Sequence, residues 1–296
     1  MKQGSKVHRK AKSLLFILAH LACIAVLWVP FSAGLLALFA GVTLIRMFGI
    51  TAGYHRYFAH RTYKTSRAFQ LVLAILGATA MQKGPLWWAA HHRDHHRFSD
   101  QPGDPHSPRL GGFLWAHMGW ILSTESDATK RGRVTDLARF PELRWLNEHY
   151  LVPGVTLAVG LFLVGGAEAL VWGFFVSTVV TWHATFSINS LTHLFGARRY
   201  ATEDDSRNSF WLALATLGEG WHNNHHHYMS STRQGFFWWE IDISYYVLRL
   251  LSAVGLIWDI REPPLEALTQ GLADNPFDSM ASSETTASRI RTEPAA

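Results

Sequence analysis

Between Leu151 and Ile188 the chain carries one carboxylate, Glu168, and no lysine or arginine. A single helix of that length would reach nearly twice the roughly 30 Å of a bilayer's hydrocarbon core, at about 1.5 Å per residue. The run therefore has to fold back, and "GGAEA", with its glycines and Glu168, suits a turn on the far side of a membrane. A second apolar pair lies near the start. The run from Ser13 to about Val29 is followed by "PFSAG" and then by another run from Leu35 onward. Each is close to the roughly 17–25 residues that a spanning helix needs. We expect an all-α integral membrane protein with four transmembrane helices in two hairpins, at about 13–31, 33–53, 151–166 and 169–189, within a single domain over 1–272.

The basic start "MKQGSKVHRKAK" and the small residues Ser32 to Gly34 also fit a secretory signal peptide. The second apolar helix that follows at once favours a hairpin whose basic end stays in the cytoplasm. Arg46, late in that helix, is expected to snorkel to the inner interface. The apolar segment at about 69–82 is too short to span and reads as an interfacial helix. Treating it as non-spanning also keeps His55 and His60 on the same side as His92, His95 and His96. Both termini and all the histidine groups then face the cytoplasm, where a helical cap holds them. The aromatic segment after His226 packs on that cap or lies in the interface. Residues 273–296 read as a disordered tail.

With 13 Trp, 18 Phe and only 17% charged residues, the composition is not that of an ordinary soluble domain. The net charge of +5 gathers at the N-terminus and beside the apolar runs, which suits a membrane surface and not nucleic acid. One cysteine, Cys23, excludes a disulfide framework and cysteine-based zinc or iron–sulfur sites. Any metal must be held by nitrogen and oxygen.

Histidine supplies the nitrogen. "HRYFAH" places His55 and His60 five apart, "HRDHH" gives His92, His95 and His96, and "HNNHH" gives His222, His225 and His226. Residues three and four apart share a helix face, so each H-x-x-H-H is expected to aim three imidazoles at one point. "NSLTH" adds Asn189 and His193. Asp94, Asp100, Asp104, Glu219 and Asn223 are candidates to orient the rings. Nine imidazoles exceed what one ion takes, so the count argues for two metals, and spacing alone does not name the element. For each pair taken singly, surface polarity or a helix end is the simpler account. Their joint placement after apolar helices is not explained that way.

The stretches "GITAGYHRYFAHR", "HRDHHRFSDQPGDPHSP", "GFLWAHMGW", "NSLTHLFG" and "GEGWHNNHHHY" resemble the membrane-bound fatty acid desaturases, most closely the stearoyl-CoA (acyl-CoA delta-9) branch. The ending "RQGFFWWEIDISYYVLRLLSAVGLIWDIREPP" is similar to bacterial members. The resemblance implies two iron ions held by His55, His60, His92, His95, His96, His193, His222, His225 and His226, with Asn189 reaching one metal through water. It also implies a bacterial inner-membrane location. Two histidines depart from the pattern: His91, where animal relatives are expected to carry aspartate and an acyl carrier's head group to lie, and His227. Both are left outside the ligand set.

An unactivated methylene is too weakly acidic for any side-chain base, so its removal calls for oxidative metal chemistry with dioxygen as co-substrate. The expected reaction is desaturation of a saturated acyl chain, giving a cis double bond at delta-9 of an acyl-CoA. Acyl-CoA or acyl lipid is the expected substrate class. A narrow apolar tunnel would position the chain, with Trp88, Thr185 and Phe186 as candidate wall residues. No bound flavin or haem is expected, so a separate electron donor such as ferredoxin, or a cytochrome with its reductase, is implied. A lipid hydroxylase with the same histidine groups is the nearest alternative. A haem-binding membrane electron carrier is a more distant one, and it predicts histidines facing each other within spanning helices.

Overall fold

The computed structural model describes residues 13–273, so the basic N-terminal tail and the expected disordered tail beyond Ala273 lie outside the described residues. The main helices are α1 (Ser13–Leu27), α2 (Ala33–Ala59), α3 (Arg67–Thr79), α4 (Pro85–Phe98), α5 (115–122), α6 (Pro141–Glu148), α7 (Leu151–His193), α8 (His222–His227) and α9 (Ile243–Ala253). Shorter turns connect them. The chain is mostly helical, but not all-α as expected. Lys64–Thr65 pairs antiparallel with Ile257–Trp258, tying the chain just after His60 to the segment after α9.

Among the described residues two helices, α2 and α7, are long and apolar enough to cross a membrane. Within α7 the backbone leaves helical geometry at Gly165 and Gly166, the latter at φ 63°, a left-handed conformation open mainly to glycine. A Cβ added to Gly173 would fall 3.2 Å from Leu161 and 3.3 Å from Leu38. Residues twelve apart on a straight helix are about 18 Å apart. The two limbs of α7 therefore fold back on one another, and the second also meets α2. The first apolar run is shorter than expected, ending at Leu27.

Arg46 does not snorkel; it is 1% exposed. Its guanidinium donates to the Thr79 carbonyl at 2.6 Å, Thr178 Oγ1 at 2.7 Å, Ser177 Oγ at 3.1 Å and the Phe174 carbonyl at 3.3 Å. With that many acceptors inside the protein, the charged head gains nothing by reaching for the interface. One side chain thus fastens α2 to α3 and to the second limb of α7.

The segment expected as an interfacial helix, about 69–82, forms α3 over 13 residues, begun by Ser66 accepting from Phe69 N. It lies hard against α2. A Cβ on Gly49 would stand 2.6 Å from the Leu76 carbonyl carbon, and one on Gly77 would strike the Tyr54 ring at 2.3 Å. Glycine is needed at both places because the backbone of α3 at Gly49, and the Tyr54 ring at Gly77, occupy the space a side chain would take.

Candidate metal centre

From Gly49 to Ala59 the second half of α2 winds as a π-helix, with i→i+5 hydrogen bonds. On an ordinary α-helix residues five apart diverge by about 140°. The wider turn brings them back to one face, and His60 N donates to the His55 carbonyl at 3.1 Å. The two imidazole centroids are consequently 4.8 Å apart. Arg93 of α4 closes the end of this segment, donating to the carbonyls of Ala59 and Phe58, each at 2.9 Å.

The nine histidines predicted as ligands assemble as two groups. His55, His60, His92, His96 and His225 form one; His95, His193, His222 and His226 form the other, with ligand-capable atoms inside each group within 4.8 Å of one another. Neither H-x-x-H-H points at a single spot, contrary to expectation. On an α-helix residues four apart differ by about 40°, whereas adjacent ones differ by about 100°. His92 and His96 stay together and His95 turns to the other group. His222 and His226 stay together and His225 turns to the first. The two triplets exchange their middle members.

The nitrogens suit metal ions. Nε2 atoms approach in a series: His60 to His92 at 2.8 Å, His92 to His96 at 3.0 Å, His96 to His225 at 2.9 Å and His225 to His55 at 3.0 Å. In the second group His193 and His222 stand 3.1 Å apart. Adjacent ligands about 2.1 Å from one ion at right angles are about 3 Å apart. His95 Nε2 and His226 Nε2 are buried with no hydrogen-bond partner. Burial, reinforced by the neighbouring imidazoles, pushes the pKa values of His60, His92, His96, His222 and His225 well below the usual histidine range, which keeps their lone pairs free.

Several rings are held from behind. His95 Nδ1 donates to Asp104 Oδ1 at 3.0 Å, His193 Nδ1 to Asp100 at 2.8 Å, and His226 Nδ1 to Asp204 at 2.5 Å. Each leaves Nε2 as the free lone pair. His55 Nδ1 meets Glu219, which also binds the buried Arg56 at 3.1 Å. Burial alone would raise these carboxyls. His193 holds Asp100 down, His95 holds Asp104, His226 holds Asp204, and His55 with Arg56 holds Glu219, so all four remain carboxylates.

Two of the expected orienting residues act elsewhere. Asp94 pairs with Lys130 and Arg133, while Asn223 accepts from the backbone of Arg199 and Tyr200. Asp204 and Gln234, whose amide lies 3.2 Å from His55 Nδ1, were missed because no spacing links them to their rings. His91 and His227 lie outside both groups. His91 donates to the Trp87 carbonyl, and burial lowers its pKa to about 4. His227 stacks on Tyr200 with centroids 3.9 Å apart.

A small cavity of about 30 Å³ is bordered by His55 and His92 from one group, His95 and His222 from the other, and Asn189. A larger, mostly apolar cavity of about 460 Å³ reaches His92 and Asn189 and has Trp88, Thr185 and Phe186 in its wall. Trp88 stacks on His92 at 4.9 Å, and Gln82 donates to Thr185 Oγ1 at 3.1 Å. The volume is typical of a site for a small hydrophobic molecule.

The sequence matches the fatty acid desaturase family over residues 28–256. This chain belongs to that family. The desaturase is 39% identical over 230 residues to palmitoyl-monogalactosyldiacylglycerol delta-7 desaturase of Arabidopsis thaliana, covering 77% of this chain and 62% of that protein. It is 36% identical over 228 residues to sn-2 palmitoyl-lipid 9-desaturase of Nostoc sp. (strain 36), covering 75% and 80%. It is 36% identical over 250 residues to acyl-CoA 5-desaturase AL21 of Anemone leveillei, covering 82% and 77%. As a member of this family the desaturase is a membrane-associated oxidoreductase of lipid metabolism.

Proposed function

We propose that the protein introduces a cis double bond at delta-9 of a saturated acyl chain through a di-iron centre. The observation that carries this reading is the shared cavity, where Asn189 and histidines of both groups border one space beside the larger apolar cavity. His55, His60, His92, His96 and His225 would hold one iron, and His95, His193, His222 and His226 the other, with Asn189 acting through water. When bound, the two ions would supply the oxidising chemistry with dioxygen that C–H cleavage requires.

The chain's own residues position and exclude. Trp88, Thr185 and Phe186 would form the wall that holds the methylenes beside the histidines and keeps water out. Asp100, Asp104, Asp204 and Glu219 keep four ring nitrogens aimed inward. Two electrons per turnover must come from a separate donor, a ferredoxin or a cytochrome with its reductase. We place four spans in the bacterial inner membrane: α1, α2 and the two limbs of α7, with the termini and histidine groups cytoplasmic.

An acyl lipid is favoured over acyl-CoA as the carrier, because two of the three relatives described above are named for lipid substrates. The test is the fatty acid profile of a bacterial host expressing the protein, with double bonds located by mass spectrometry and lipid and CoA pools analysed separately. A new delta-9 monounsaturated acid, appearing first in lipid, is expected; a hydroxy acid would overturn the assignment. His225→Ala should abolish the product and lower bound iron, whereas His227→Ala should keep both.

A further inference from the structure

Three histidines outside the metal groups form a chain of their own. His20 on α1 meets His183 on the second limb of α7, Nε2 to Nε2 at 2.9 Å. His183 Nδ1 lies 2.9 Å from His117 Nε2 on α5, and His117 Nδ1 lies 2.9 Å from Ser190 Oγ. The two contacts use opposite nitrogens of His183, so the rings run in series and do not converge on a point. Nitrogens on opposite sides of a haem iron would stand about 4 Å apart, twice a typical metal–nitrogen bond. The spacing here is that of hydrogen bonds.

The ends of the chain fix its protons. His20 Nδ1 lies 2.7 Å from the Phe16 carbonyl, which can only accept, so His20 carries its proton on Nδ1. His183 must then donate from Nε2 to His20, and His117 from Nε2 to His183. Ser190 supplies the last proton to His117 Nδ1, giving up the bond available to it at the Phe186 carbonyl. The opposite direction would set a lone pair of His20 against a carbonyl oxygen. Three neutral imidazoles therefore satisfy every ring nitrogen in one direction, which suits an apolar setting where a charge is costly.

This chain lies directly behind the wall of the larger cavity. Phe16, one turn before His20, and Trp182, next to His183, both border that cavity, as does Phe186. Phe16 and Trp182 stack at 5.3 Å, and Phe16 touches the His20 ring at 4.3 Å. The hydrogen bonds within the wall itself, Trp182 Nε1 to the Ala80 carbonyl at 2.9 Å and Gln82 to Thr185 Oγ1, do not involve α1, and each methylene the wall touches contributes about the same wherever it sits. Something directional has to fix α1.

We propose that His20, His183, His117 and Ser190 are positioning residues that lock α1 against α7, so that Phe16 and Trp182 set which acyl chains the cavity accepts. The inference rests on the acyl-desaturase reading. His183→Leu and His20→Leu are compared with the unmodified protein in a bacterial host fed saturated acids of graded length, with iron measured on purified protein. Iron should stay at the unmodified level in both, while discrimination among chain lengths falls about three- to twentyfold, the range that membrane interhelical hydrogen bonds support. His183→Gln, which keeps a donor and an acceptor, should restore part of the selectivity. Histidine ¹⁵N spectra should show one Nδ1–H and two Nε2–H neutral tautomers, with the His117 signal moving in Ser190→Ala. Unchanged selectivity with full iron, or charged rings at neutral pH, overturns the proposal and leaves the desaturase reading intact. If His183→Leu fails to fold, His20→Leu at the half-buried end decides alone. No unsaturated product from the unmodified protein would overturn both.

Discussion

At the residue scale, the identity of the donor atom matters as much as the identity of the ligand. His226 points Nε2 inward because Asp204 accepts a hydrogen bond from its Nδ1–H. Asp204→Asn keeps the shape and removes the charge that holds the tautomer. It should weaken iron binding by about 10- to 100-fold, read by competition with a chelator, with little change in thermal melting of the iron-free protein. The nine histidines were legible in the sequence because their spacing is unusual and they follow apolar helices. Asp104 and Asp100 were legible as nearby acids. Asp204 was not, since it stands twenty-two residues from its ring and only the fold brings them together. Arg46 was misread for a related reason: acceptors at Thr79 and Thr178 are distant in sequence, so the interface looked like its only outlet.

At the element scale, the π-turns of α2 convert an awkward five-residue spacing into a shared face. They depend on α3 lying close enough to hold them. Gly49→Ala would push a methyl into the backbone at Leu76 and Gly77. We expect a loss of about 1–3 kcal/mol, as for other overpacked contacts, seen as a lower melting temperature in detergent together with reduced iron content. The apolar helices were readable from length and hydropathy, including the break at "GGAEA". The π-helical winding was not, because nothing in "GITAGYHRYFA" distinguishes it from an α-helix by composition. The exchange between the two H-x-x-H-H groups was hidden for another reason. Helical geometry states that three such rings diverge, but a second group to receive the outlier becomes visible only in three dimensions.

At the scale of the whole molecule, the histidine groups draw on α2, α4, α7 and α8, so bound metal cross-links most of the fold. Removing iron with a chelator should lower the melting temperature, and ligand linkage gives about 2.7 kcal/mol per site at a hundredfold excess over Kd. Zinc should restore the melting temperature without restoring product. A larger effect on product than on melting would also separate chemistry from folding.

The exchanged histidines carry a consequence for how the protein is made. Four members of the first group, His55, His60, His92 and His96, are synthesised within the first hundred residues, but the fifth is His225. The second group waits for His222 and His226. Translation must reach residue 225 before the first set is complete and residue 226 before the second. Under the proposed ligand assignment, neither ion can be fully enclosed until α8 has been made, so filling of both centres waits for that helix. A truncated product lacking α8 would reach the membrane without either finished site.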